Sequence, residues 1–140
     1  MQNIPVEGFW LTATLAMTAA FWIPYIANRM IERGVFSALW DPHGETHATA
    51  QWADRMMRAH KNAIENLCVF APLVILAILF ERLSSNTAIA TEVYFFARLG
   101  HFIVFSAGLP VVRVLLFLVG FGCQCVLASA ILASVQMAGL

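Results

Sequence analysis

Apolar and polar positions along the chain sort into four long apolar runs separated by short polar stretches. A helix crossing about 30 Å of hydrocarbon needs roughly 20 predominantly apolar residues at about 1.5 Å of rise each. The first run, Phe9 to Ala27, carries no charge and predicts a span over 9–29. Pro24 near its end is expected to kink the helix rather than stop it. The second run predicts a span over about 58–81, with Asn62, Glu65 and Asn66 in its first turns. The third, about 88–109, contains Glu92, Arg98 and His101, and the fourth, about 111–135, has Arg113 near its start and Gln124 midway.

The connections add order. Met30 to Gln51 is the only long one, and Trp40-Asp41-Pro42-His43-Gly44 reads as a turn inside it. Gly108-Leu109-Pro110 leaves almost no loop, so the third and fourth helices must be antiparallel neighbours. No repeat or second domain is visible, and residues 1–140 read as one all-α domain, an integral membrane four-helix bundle.

Composition supports that reading. Hydrophobic residues make up 61% of the chain and charged ones 11%, against about 45–50% and about 25% in ordinary globular proteins. In 140 residues such an apolar surplus has no water-soluble core large enough to hold it, and a bilayer is the simplest host. Eight basic residues balance eight acidic ones, which excludes the basic footprint of a nucleic-acid binder. The cysteine count is odd and all three lie in apolar segments, so no disulfide framework is expected. Glu7, with no basic residue before it, does not fit the basic n-region of a signal peptide.

The balanced total conceals a strong polarity. Arg29, Arg33, Arg55, Arg58, Lys61 and Arg113 gather at one set of helix ends, Arg82 lies at the other, and Arg98 is within a span. By the positive-inside rule the long loop faces the cytoplasm and both termini face away. In a bacterium the host would be the cell inner membrane.

Charged and amide groups inside a bilayer are costly and mark either function or a buried pair. Arg58, Asn62 and Glu65 are spaced by four and three and share a helix face. Arg98, His101 and Phe105 make a second stripe, and Arg113, Phe117, Gly120 and Gln124 a third. Antiparallel alternation brings all three to the cytoplasmic half. Several cations, one carboxylate, one amide and one imidazole suit a small zwitterion with more than one carboxylate. Two structural alternatives stand beside that reading. Glu65 and Arg98 could neutralise each other as a buried pair, and Arg58, Lys61 and Arg113 could be interfacial anchors without a ligand.

Other features carry less. His43 and His47 have helical spacing, but Pro42 and Gly44 argue against the helix that would align them for a metal. Cys123 and Cys125, two apart on a helix, point to different faces, and no metal site is expected. Trp10, Trp22, Trp40 and Trp52 fall near span ends or in the loop, as interfacial aromatics do.

The segment Arg55-Met-Met-Arg58-Ala59-His60-Lys61-Asn62-Ala-Ile-Glu65 closely resembles the signature of the MAPEG family, membrane-associated proteins in eicosanoid and glutathione metabolism. Ala97-Arg98-Leu-Gly-His101 and Gly108-Leu-Pro110-Val-Val-Arg113 resemble its third and fourth helices. The resemblance implies a homotrimer of four-helix bundles, with glutathione as co-substrate between subunits and an apolar or lipid-like second substrate entering from the membrane. By position it implies glutathione contacts at Asn62, Glu65, His101 and Arg113, with Lys61 where an arginine is common. Arg29 is a looser match to an arginine donated by a neighbouring subunit. With Arg58 and Arg98 from the charge pattern, these make the candidate binding set, and Arg113 is the candidate catalytic residue, stabilising the glutathione thiolate.

Departures from the family pattern bear on chemistry. Hydroxyl side chains accompany the arginine in catalytic relatives, whereas Phe105, Val114 and Phe117 stand at the corresponding positions. The function expected is therefore a glutathione-dependent transferase or peroxidase, or else a non-catalytic lipid or small-molecule binding protein on the same scaffold. A transporter is disfavoured, because one carboxylate and no pair of discontinuous helices make a poor relay. The charge asymmetry yields a direct prediction: a topology reporter fused after Leu140 reads non-cytoplasmic, and one inserted in the long loop reads cytoplasmic.

Overall fold

The computed structural model describes residues 4–40 and 48–137, with the side chains of 134–137 left aside. The Asp41-to-His47 stretch, which holds most of the expected turn and both His43 and His47, lies outside the described residues. Among those described, all regular structure is helical: α1 Val6–Ala20, α2 Ile23–Arg33, α3 Val35–Leu39, α4 Gln51–Leu79, α5 Ser85–Ala107 and α6 Pro110–Met137. Four stretches are long and apolar enough to cross a membrane, the first formed by α1 and α2 together.

The kink expected at Pro24 is a two-residue interruption at Phe21–Trp22. Proline has no N–H to donate, and its ring collides with the carbonyl four residues back. The helix therefore restarts at Ile23 with Pro24 in its first turn, where a missing N–H costs nothing. Upstream of the break, the hydroxyls of Thr12 and Thr14 donate to the carbonyls of Gly8 (2.9 Å) and Trp10 (2.8 Å), hiding their polarity inside their own helix.

α4 begins at Gln51, ahead of the apolar span expected from 58, because a helix does not end where its lipid contact ends. Its 29 residues reach about 43 Å at 1.5 Å each, well beyond the hydrocarbon thickness. The overhang holds Asp54, Arg55 and Arg58, and Arg58 pairs with Asp54 at 2.7 Å. A carboxylate from another helix completes its start: Glu32 accepts the backbone N–H groups of Thr49 and Ala50, each at 2.9 Å, and the Asn28 amide at 2.9 Å.

α5 starts with a reciprocal cap, the Ser84 hydroxyl accepting from the Thr87 N–H while the Thr87 hydroxyl accepts from the Ser84 N–H. It ends in a Schellman turn, where Leu109 N–H reaches the Val104 carbonyl and Gly108 N–H that of Phe105. Gly108 sits at φ 80, ψ 32, the left-handed conformation that glycine adopts without strain, and Pro110 opens α6 two residues later. The expected antiparallel pairing follows, and α5–α6 is the most extensive helix contact in the chain. α5 also packs on α1 and α4, and α4 on α6.

Two apolar layers hold the bundle. Leu11, Phe70, Val74, Ala90, Tyr94, Cys123 and Leu127 form one, in which the Phe70 and Tyr94 rings stack at 3.6 Å. Phe21, Ala59, Ala63 and Phe102 form the other, nearer the basic ends, with Phe21 and Phe102 stacked at 3.7 Å. Beyond the first layer, at the end away from the basic cluster, Glu7 is buried and accepts a 2.7 Å hydrogen bond from the Thr87 hydroxyl. This ties the start of α1 to the start of α5. Thr87→Val removes that donor and half of the α5 cap, and is expected to cost about 1–3 kcal/mol in unfolding free energy in detergent.

Candidate functional site

Between the two apolar layers lies a polar one. Arg98 on α5 is 2% exposed, and its Nη2 donates to Asn62 Oδ1 on α4 at 2.8 Å. Asn66, one turn along, donates its side-chain amide to the Asn62 backbone carbonyl at 2.9 Å, and its own backbone carbonyl accepts from Gln124 Nε2 of α6 at 3.2 Å. Three helices thus meet through side-chain amides and one guanidinium. The Arg98 stem lies against Gly120, where an added Cβ would stand 3.6 Å from Arg98 Cδ. Tyr94, one turn before Arg98, packs at the same place.

A second group continues this layer towards the basic ends. His101 is 3% exposed and within electrostatic reach of both Arg98 and Arg113. Its ring meets Phe105 edge-on at 5.6 Å and Phe117 at 6.4 Å. The Arg113 guanidinium lies 4.4 Å over the face of Phe105, a cation–π contact that holds it beside His101. A ring can orient this cation as a hydroxyl would, but it offers a ligand no proton.

The described residues leave this cationic layer short of acceptors. Arg98 Nε and Nη1 and His101 Nδ1 are buried without a hydrogen-bond partner. Buried polar atoms are paired in the great majority of cases, and an unpaired buried cation is costly. The neutralising pair of Glu65 and Arg98, one of the two structural alternatives, is not formed among the described residues: Asn62 takes the guanidinium instead, and Glu65 lies exposed on α4. The reason is angular, since Asn62 sits on the α4 face turned to α5 while Glu65, three residues on, is rotated away.

The predicted residues therefore divide. Asn62, Arg98, His101 and Arg113 come together within one chain. Arg58, Lys61 and Glu65 lie on the outer surface of α4. Arg29 lies elsewhere, in a cleft with Tyr25, Ile26, Ala53, Asp54 and Met57. Cys123 is buried and Cys125 exposed, on different faces as their spacing implies.

Three residues outside the candidate set, Tyr94, Arg55 and His60, also contribute. Tyr94 could have been found, because it extends the 98–101–105 stripe by one turn. Arg55 donates from Nε to the Ser106 carbonyl at 2.9 Å and packs so closely on Gly108 that a Cβ there would stand 3.3 Å from that same Nε. It thereby braces the corner that delivers Arg113. His60 is engaged by the Tyr25 hydroxyl at 3.0 Å and stands edge-on to Phe21 beside the α1–α2 interruption. Neither the Arg55 nor the His60 contact has a signature in local spacing.

The Asn62–Arg98 bond is open to a double-mutant cycle. Asn62→Ala is expected to cost about 1.5–3 kcal/mol, the usual range for a hydrogen bond to a charged group. In an Arg98→Met background, with the charge gone, the same change costs much less. Unfolding in detergent measures both.

No curated protein and no solved structure matches the chain. The model of the MAPEG family matches residues 8–133, all four apolar stretches in order. With that match added to its helical architecture and its polar layer, the chain belongs to the MAPEG family.

Proposed function

We propose that this protein is a membrane-embedded, glutathione-dependent transferase or peroxidase acting on apolar electrophiles. Membership of a family that generally works with glutathione supports the reading. The observation that carries it is the buried cation with unused donors: Arg98 Nε and Nη1 beside His101 and Arg113, with no carboxylate of the chain paired to them among the described residues. Glutathione brings two carboxylates and an ammonium group. Arg98, Arg58 and Lys61 would take carboxylates, Asn62 and His101 would hydrogen-bond the peptide, and Glu65 would receive the ammonium.

Arg113 has the catalytic role. A neighbouring cation favours the thiolate over the thiol and raises the nucleophilic fraction. In the transferase reaction the thiolate sulfur forms a bond to an electrophilic carbon while that carbon's bond to its leaving group breaks. The departing group leaves with the electron pair.

The surface of α4 supports assembly as a homotrimer. Lys61 and Glu65 are on the outside of a membrane-spanning helix, just past the overhang that holds Arg58, where hydrocarbon would be a poor neighbour. A second copy would cover them and bring its own Arg29 towards the ligand. The long loop would then lie on the cytoplasmic side, with the basic ends.

A second reading, a non-catalytic lipid or small-molecule binding protein, draws support from one contact. Phe105 occupies the face of Arg113 where catalytic relatives offer a hydroxyl.

Calorimetry of the detergent-purified protein with glutathione tests both. Binding is expected, and Glu65→Ala or Arg98→Met should weaken it by about 10- to 100-fold, the loss of one charge-assisted hydrogen bond. Arg113→Ala should abolish thiolate absorbance of the bound tripeptide near neutral pH. Absence of binding at millimolar glutathione overturns the proposal; binding without thiolate in the native protein favours the second reading.

A further inference from the structure

Glu92 puts a carboxylate on the exposed side of a membrane span. It stands seven residues into α5, about 10 Å along the helix from Ser85 at about 1.5 Å per residue. Its side chain is exposed, and so are Ile89 and Phe96, three residues before it and four after it on the same face. No described residue pairs with it. A carboxylate at this depth is costly and calls for a partner, and its short stem does not return it to the membrane surface.

The surroundings select a cation. Glu92 lines a groove of about 340 Å³ along the α5–α6 seam, with Val93, Phe96, Leu116 and Val119. Through Val93 and Val119 the groove runs on into a second stretch of about 350 Å³, which reaches Asn86. Both stretches fall in the size range of small-molecule sites. No basic side chain lines either of them. Phe96 meets Trp10 of α1 at 5.6 Å, and Trp10 meets Phe95 at 5.4 Å, so aromatic rings stand beside the carboxylate. A carboxylate next to aromatic rings is the combination that holds an ammonium group.

A second copy is a poor source of that cation. Copies related by rotation about the membrane normal keep every residue at its own depth. Arg29, Arg33, Arg55, Arg58, Lys61 and Arg113 stand at the opposite ends of the spans, and Arg98 is inside the bundle. Arg82 alone is on this side, in the loop before α5 and outside the span. The bilayer is the remaining source. We propose that the α5–α6 seam binds a single-chain ammonium amphiphile from the leaflet away from the basic ends, with its ammonium group on Glu92 beside Phe96 and its chain in the apolar groove. The site is separate from the polar layer, because Arg98 and His101 are buried on the inner side of α5.

The test uses the full chain in dodecyl maltoside at neutral pH and a long-chain primary amine with a photoreactive diazirine in its tail. Mass spectrometry then locates the labelled residues at a probe concentration below saturation. Labelling is expected along the groove, within 86–97 and 116–126. A probe with the same tail and a hydroxyl head should label it about 10-fold less, the loss of one charge-assisted hydrogen bond. Glu92→Gln should bring amine labelling down to the level of the alcohol. Equal labelling by the two probes, or amine labelling indifferent to Glu92→Gln, overturns the proposal in favour of ordinary lipid contact. Amine labelling that is absent until Arg82→Gln is introduced overturns it in favour of an ion pair between copies. Labelling confined to other helices overturns it outright. The alcohol comparison is made on the native protein, so it decides the matter even if Glu92→Gln fails to fold.

Discussion

A guanidinium buried at mid-bundle is the constraint around which this structure is arranged. Among the described residues Arg98 has one acceptor, the Asn62 amide, and a charge in such surroundings is expensive unless its remaining donors are used. An apolar layer stands on either side, one built on the Phe70–Tyr94 stack and the other on Phe21–Phe102. The two aromatic stacks flank the Arg98–Asn62 bond along the bundle.

The devices at the helix ends serve the same arrangement. The Schellman turn at Gly108 sets α6 directly against α5, so that Arg113 returns alongside His101 rather than a helix length away. Arg55, from the overhang of α4, secures that corner through the Ser106 carbonyl. At the other end Glu7 and Thr87 hold α1 to α5.

The surface of the chain divides by physical chemistry. Apolar residues cover most of the membrane-spanning helices, but the α4 face with Lys61 and Glu65 does not suit lipid. The polar layer and this face lie on adjacent sides of α4. Ligand binding and self-association would therefore draw on one helix, with Asn62 turned inward and its charged neighbours outward.

The membrane class, the number and order of spans, the tight α5–α6 corner and the family are all legible in the linear pattern of residues. They follow from local rules: apolar length against bilayer thickness, the Gly-Leu-Pro punctuation, and one motif confined to a single helix. The same pattern groups Arg98, His101 and Arg113, because periodicity assigns faces within a helix and antiparallel order assigns depth. Which faces meet is settled by tertiary packing alone. Helix rotation turns Asn62 to Arg98 and leaves Glu65 outside, although spacing places both on one stripe. The Glu7–Thr87, Arg55–Ser106 and Tyr25–His60 contacts join residues 80, 51 and 35 positions apart, and no local pattern encodes them. Pairing across such distances depends on how whole helices pack, which is a property of their combined surfaces and not of any one of them.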